Sequence, residues 1–258
     1  MILAEPRPTQ ADVHFRIFSV PVRIHPFFWV MSLIFGLHGE SPPAQVLLWV
    51  ATVFVSILIH ELGHALVQKQ YGGRPRIVLH GMGGLAICSD CERSTRAQIT
   101  ISLAGPGAGF MLALLTFALV RALGHQMGCQ GGGEIPFDAI GLDAVKRLDL
   151  PGITFYWAPF RSGAVDQLVG NLLQINLLWG AINLLPIYPL DGGQVARELC
   201  LLGNPREGMI LSLRISFIAA VGMAFVGISW GSLWIALMFG YMAYSSYKTL
   251  EGYRASLW

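Results

Sequence analysis

The sequence predicts an all-α membrane protein of about six transmembrane helices, with a small β-strand or hairpin element at the cytoplasmic membrane edge. Of its 258 residues, 54% are hydrophobic and only 12% are charged, whereas a soluble domain carries about twice that share of charge. The apolar residues are gathered into long runs rather than spread along the chain. We therefore expect one integral-membrane domain over residues 1–258.

Six apolar segments are separated by more polar connections, and several reach the roughly 20 residues that cross about 30 Å of hydrocarbon as a helix. They lie near 26–39, 44–71, 97–123, 167–188, 209–228 and 231–248.

Three other stretches are predicted as connections with some structure of their own. Residues 14–25 alternate apolar and basic groups, which predicts an edge strand with Pro21 at a turn or edge. Residues 72–96 hold the run "RIVL" and then "GMGG", which predicts a strand and a Gly-rich loop. Residues 124–164 form the outer loop, with a flexible linker around 126–134 and an aromatic cluster, "ITFYWAPF", suited to a membrane interface.

The distribution of positive charge predicts a multi-pass protein of the cell membrane with both termini in the cytoplasm. With the N-terminus inside, 13 of the 17 Lys and Arg residues fall in inner segments and four in outer loops. The net charge of +2 is too small to indicate nucleic acid as a partner. The lipid bilayer is the partner that the composition itself predicts.

The most informative motif is "HELGH", an H-E-x-x-H inside the second apolar segment. On a helix, His60 and His64 are one turn apart and face the same way, so two imidazoles can bind one Zn²⁺. Glu61 lies beside that position and can act as a general base. The alternative is that these polar residues only form hydrogen bonds to neighbouring helices within the bundle.

Asp191 is the best candidate for the third protein ligand that a catalytic zinc needs. It follows an apolar helix that Pro186 and Pro189 interrupt, and two glycines follow it. A carboxylate at a broken membrane helix is expected to line a polar site. Taken alone, Asp191 could instead be the N-cap of the next helix.

Cys88 and Cys91 form a second motif, C-x-x-C, in the inner connection. One such pair is half of a zinc knuckle or a redox pair. We expect unpaired thiols without a function in a reducing compartment, and His80 is a further candidate ligand.

With these motifs the sequence resembles the site-2 proteases, which are intramembrane zinc metalloproteases. The resemblance rests on "HELGH" (60–64) and "NLLPIYPLDGG" (183–193), supported by "IFSVPVRIHPFFWV" (17–30), "HGMGGLA" (80–86) and "LAGPGAG" (103–109). It implies that His60, His64 and Asp191 bind one zinc ion per chain and that Glu61 is the general base.

The resemblance implies further roles near the site. Asn183 matches a residue of the family that contacts the substrate backbone or the developing oxyanion, and an inter-helix hydrogen bond is the alternative. The third-helix motif of the family usually ends in Asn, whereas this chain has Gly109 there, which alters a polar contact or the helix packing.

The expected function is that of an intramembrane endopeptidase. It would hydrolyse a peptide bond in or near the transmembrane segment of a single-pass membrane protein, in regulated intramembrane proteolysis. We expect Gly83, Gly84 and Leu85 to bind the extended substrate by strand addition, although a tight turn would also explain the glycines.

The layout resembles the compact six-helix branch of the family, without a PDZ domain or a regulatory C-terminal domain. The alternative functions are a catalytically idle membrane scaffold of the same fold and a zinc protease of the CAAX-processing type. Proteases of the CAAX-processing type use a downstream Glu as the third zinc ligand, whereas the fitting motif in this chain ends in Asp191.

The predicted orientation can be tested by labelling. A cysteine introduced near residue 72 should react with a membrane-impermeant thiol reagent only after the cells are opened, because positive charge places residues 72–96 inside. Labelling of that cysteine in intact cells would contradict the orientation.

Overall fold

The computed structural model describes residues 5–37, 42–131 and 145–255. In these ranges the chain forms seven helices and seven short strands. The helices are α1 (Pro26–Gly36), α2 (Pro43–Gln70), α3 (Thr95–Ala122), α4 (Gly163–Asn183), α5 (Asp191–Leu201), α6 (Pro205–Ser229) and α7 (Leu233–Ala255). The strands are β1 (Val13–Ile17), β2 (Val20–Ile24), β3 (Arg76–His80), β4 (Gly83–Ile87), β5 (Met127–Gln130), β6 (Lys146–Leu150) and β7 (Ile153–Trp157).

The expectation of a mainly helical protein with membrane-spanning helices is confirmed, whereas the count of about six spans is not confirmed by the described helices. Three of the described helices, α2, α3 and α6, are long and apolar enough to cross a membrane. Helix α1 has 11 residues and is too short on its own. Helices α4 and α7 are longer but carry more polar side chains, among them Asn171 and Asn176 in α4 and Lys248 and Glu251 in α7.

The stretch predicted as one edge strand over 14–25 is a hairpin. Strands β1 and β2 pair antiparallel, and the turn between them is made by Phe18 and Ser19, both with positive φ. Pro21 lies inside β2, opposite Arg16, rather than at the turn. Neither turn residue is Gly, Asn or Asp, so the usual sequence signal for a hairpin is missing.

The predicted strand in 72–96 is confirmed, and a second strand follows it. The sheet has the order β1-β2-β3-β4, in which β2 and β3 are parallel and β3 and β4 antiparallel. Its buried face includes Val22, Ile77 and Leu79, which pack with Leu58 and Leu62 of α2. The sheet is thereby fixed against the helix that carries the H-E-x-x-H motif, and β4 forms one of its edges.

The expected linker around 126–134 is also structured where the structure describes it. Strand β5 pairs with β7, and β7 pairs with β6, in a small antiparallel sheet. Trp157 at the end of β7 is buried, and its indole N–H donates to Asp166 of α4. Residues 132–144 of the predicted outer loop lie outside the described residues. The aromatic cluster therefore contributes Trp157 to a protein core.

The prediction of unpaired thiols at Cys88 and Cys91 is wrong, because these residues form a disulfide. The loop after β4 returns tightly toward the start of α3, and three-residue spacing then brings the two sulfur atoms together. Cys129 and Cys200 are free thiols.

Candidate metal centre

Three side chains from two distant segments meet at one buried point. Nε2 of His60 lies 3.2 Å from Oδ2 of Asp191, and Nε2 of His64 lies 3.3 Å from the same oxygen. The two Nε2 atoms are 3.2 Å apart. All three residues are at most 8% exposed. The three predicted metal ligands therefore come together although 131 positions separate His60 from Asp191.

The geometry and chemistry of these three atoms fit a zinc ion. With zinc–ligand distances of about 2.0–2.1 Å, the edge of a tetrahedral site is about 3.3 Å long, close to the three separations between the donor atoms. Two imidazole nitrogens and a carboxylate oxygen form a His₂-carboxylate set that leaves a fourth position open. Without a cation, the convergence of three lone-pair donors in a buried site would be unfavourable.

The ring of His64 is held in the orientation that such a site needs. Its Nδ1 lies 2.7 Å from the carbonyl oxygen of Ile101 in α3. If Nδ1–H donates to that carbonyl, Nε2 carries the lone pair that faces His60 and Asp191. Gly105 of α3 provides the space for this ring, because a Cβ atom at Gly105 would collide with the imidazole of His64. The small-residue motif "LAGPGAG" thus contributes directly to the site.

Asp191 is placed by the connection between α4 and α5. It is the first residue of α5, whereas Leu190 is the N-cap residue. The side chain of Asp191 points to the two histidines, so the alternative that it is an N-cap is wrong. In this connection Ile187 is fully buried among residues of α6 and α7.

Two serines of the last helices also hold this connection. The N–H of Tyr188 donates to Oγ of Ser216 in α6, and that hydroxyl is 2.8 Å from Oγ of Ser246 in α7. Both serines are buried. Sequence reasoning did not find them, since a lone serine in an apolar helix carries no signal for a role beyond packing.

Glu61 is held against β4. Its carboxylate accepts a hydrogen bond from the backbone N–H of Ala86, and a Cβ atom at Gly84 would collide with the carboxyl group. Gln68, two turns further along α2, donates from Nε2 to the carbonyl oxygen of Ala86. Both main-chain polar groups of Ala86 are thus engaged by side chains of α2. Gln68 was not predicted, because its partner is a backbone group of a different element.

The pairing of β4 determines which of its backbone groups face the site. Successive residues of an antiparallel strand direct their N–H and C=O groups to opposite sides. Since Ala86 faces α2, Gly84 also faces the open edge, and Leu85 faces its partner Val78 in β3. Gly84 is therefore the residue of β4 with backbone groups available at the open edge, whereas those of Leu85 face β3.

The predicted substrate residues lie around the metal site. A cavity of about 370 Å³ is lined by His60, Glu61, His64 and Asp191, and also by Gly84, Leu85 and Asn183. The amide nitrogen of Asn183 donates to the carbonyl of Trp179 in its own helix rather than to another helix. Gly83 lies next to the ring of Trp179, which lines the same cavity.

Gly109 stands where the family that the sequence resembles usually has Asn, and it lies away from the metal ligands. A Cβ atom there would contact Asn176 of α4 at ordinary van der Waals distance. Asn176 already donates to Ser56 of α2. The departure at this position therefore concerns contacts between helices.

Comparison with known proteins gives concordant results. Residues 48–228 match the family described as Peptidase family M50. A zinc metalloprotease of Methanocaldococcus jannaschii is 24% identical over 85% of this chain and 53% of its own length. Stage IV sporulation protein FB of Bacillus subtilis is 23% identical over 67% of this chain and 46% of its own length. This chain thus spans about half the length of those relatives.

A solved structure shares the fold. The site-2 protease from Methanocaldococcus jannaschii superposes with a TM-score of 0.57 over 93% of this chain and 95% of that chain, at 20% sequence identity. The family match extends from residue 48, within the H-E-x-x-H helix α2, to residue 228 near the end of α6, and it includes all three candidate ligands. The chain belongs to Peptidase family M50, the family of the site-2 proteases.

Proposed function

We propose that this protein is an intramembrane zinc endopeptidase. The observation that carries the proposal is the buried triangle of His60, His64 and Asp191, with the Glu61 carboxylate beside it. Zinc supplies Lewis acidity toward a peptide carbonyl and toward water when it is bound by such a set. An idle scaffold would have no need of this complete set of residues.

Glu61 performs the proton transfers of this proposal. Its carboxylate takes a proton from the attacking water and later gives a proton to the leaving amine. The N–H of Ala86 fixes one side of that carboxylate, so its position is set before substrate arrives. Asn183 lines the same cavity, and in this proposal its amide contacts the peptide near the scissile bond.

The substrate of this proposal binds as an extended strand along β4. Ala86 has both polar groups engaged by Glu61 and Gln68, so Gly84 provides the backbone groups for pairing. Strand addition provides hydrogen-bond partners for the backbone N–H and C=O groups of a peptide that has lost its helical hydrogen bonds. It also lays the peptide next to Glu61, because Gly84 packs directly against that side chain.

The substrate class follows from the position of the site along α2. His60 lies ten residues before the end of α2 at Gln70, a distance of about 15 Å along a helix. A peptide bond at this depth belongs to a transmembrane segment, so the substrate is a single-pass membrane protein and the process is regulated intramembrane proteolysis. We place the opening of the site, the sheet β1–β4 and both termini on the cytoplasmic side.

The zinc assignment predicts a metal content of one ion per chain. Gly105→Ala should lower it toward the level of Asp191→Ala, because the added Cβ displaces the ring of His64. The matched control is Gly107→Ala in the same helix, where the added Cβ meets no neighbouring atom, and it should keep the full content. Metal analysis of the purified proteins checks this. Equal zinc in the Gly105 and Asp191 variants and the parent would contradict the assignment.

The role of Glu61 predicts a separation between metal binding and cleavage. Glu61→Gln should keep one zinc per chain and lose at least about 100-fold in cleavage rate, because an amide cannot accept the proton. Glu207→Gln, at an exposed carboxylate in the first turn of α6, is the control and should cleave like the parent. Cleavage of a peptide substrate by Glu61→Gln at the parent rate would rule out Glu61 as the base.

Strand addition at Gly84 predicts one sensitive N–H in the substrate. N-methylation removes one backbone N–H at a time, and only the residue whose N–H meets the carbonyl of Gly84 donates to β4. Cleavage of a series of N-methylated peptides should therefore fall at one position beside the scissile bond and stay near the parent rate at the residues on either side of it. A uniform effect along the peptide would contradict pairing with β4.

A further inference from the structure

The disulfide between Cys88 and Cys91 is the feature near the site that catalysis does not use. It follows β4 directly, in the loop that leads to α3. Both cysteines are partly exposed, and Ser89 and Asp90 between them are exposed. A reagent in solvent can therefore reach the bond.

The disulfide is seated on the end of α2. A Cβ atom at Gly73 would collide with both sulfur atoms, so the pair lies directly against the backbone there. On the same face, the backbone N–H of Arg74 donates to Asp90. The loop after β4 is thus fastened to the chain that links α2 to β3.

Each sulfur atom also has a hydrogen-bond acceptor within reach. Sγ of Cys88 is 3.3 Å from a carboxylate oxygen of Asp90, and Sγ of Cys91 is 3.8 Å from the carbonyl oxygen of Gln68. A disulfide has no S–H group and cannot use either acceptor, whereas two thiols can use both. The loop therefore accommodates the dithiol as well as the disulfide.

A short series of contacts joins this loop to the candidate base. The backbone of Gln68 faces Cys91, and its side chain donates to Ala86 of β4. Ala86 in turn donates its N–H to Glu61. The loop thus holds the end of β4 against α2, and Gln68 holds the strand at Ala86.

We propose that Cys88 and Cys91 are a reversible dithiol–disulfide site that controls how firmly β4 is held for binding extended substrate. Disulfides that occur on the cytoplasmic side, where we place this loop, are mostly transient and catalytic or redox-sensing. The oxidised form holds β4 in place before the peptide arrives, which favours binding. The effect on substrate binding rests on the proposed function, whereas the reversible redox reaction of the two cysteines does not.

The reaction is thiol–disulfide exchange with a dithiol reductant. A thiolate of the reductant attacks one sulfur of the pair, the Cys88–Cys91 bond breaks, and a mixed disulfide forms. The second thiol of the reductant then displaces the other cysteine. Two electrons pass to the protein sulfurs, the two thiol protons of the reductant are transferred to them, and the reductant leaves as its own disulfide.

The experiment uses the full chain with Cys129→Ser and Cys200→Ser, so that only this pair can react. The protein is equilibrated with mixtures of reduced and oxidised dithiothreitol, and its free thiols are counted by alkylation and mass spectrometry. We expect a reversible change between no thiols and two thiols while the protein remains folded. The zinc content should stay at one per chain in both forms.

Two readouts connect the redox state to β4. Hydrogen exchange of the amides of residues 83–87 should be about tenfold faster in the reduced form. The KM for a peptide substrate should rise about threefold or more on reduction, with kcat little changed. The double variant Cys88→Ser and Cys91→Ser should behave as the reduced form in every mixture.

Three other outcomes overturn the proposal. Thiols that stay free in oxidised dithiothreitol, or a bond that yields only on unfolding, would show that the site is not reversible. A second zinc ion in the reduced form, lost in the double variant, would make the pair a metal site. Equal exchange at residues 83–87 in both forms would remove the link to β4. A protein that cleaves nothing in either form contradicts the proposed function, while the thiol count and hydrogen exchange still decide the redox site.

Discussion

The structure depends on the convergence of three lone-pair donors in a buried place. His60, His64 and Asp191 lie within 3.3 Å of one another at almost complete burial. Polar groups of this kind are stable inside a protein only when something compensates for the water they have lost, and a cation bound by all three does so. The other elements near the site can be understood by how they hold these donors and the carboxylate of Glu61.

Each part of the site is supported from a different direction. Helix α3 orients His64 through Ile101. Helices α6 and α7 hold the connection before Asp191 through Ser216 and Ser246. Strand β4 fixes Glu61 through Ala86. Because the supports come from helices on several sides, the geometry of the site depends on the packing of the whole bundle rather than on the H-E-x-x-H helix alone.

The sequence predicted the parts of the site that are encoded locally. His60 and His64 follow from the helical period, and Asp191 follows from the prolines and glycines around it. Gln68 and Ser216 could not be predicted, because their partners are backbone groups of residues that come close only in the folded chain. The hairpin turn at Phe18 and Ser19 lacks the residue types that usually mark one, and the pairing of Cys88 with Cys91 depended on redox state, which spacing alone does not determine.

The central claim is that Nε2 of His60, Nε2 of His64 and the carboxylate of Asp191 bind zinc. X-ray absorption at the zinc edge of the purified protein tests it most directly, because it reports the ligand atoms of the bound ion. We predict a first shell of nitrogen and oxygen only, at about 2.0–2.1 Å, with the outer-shell scattering of two imidazole rings. A first shell containing sulfur at about 2.3 Å, or one without imidazole, would contradict the account.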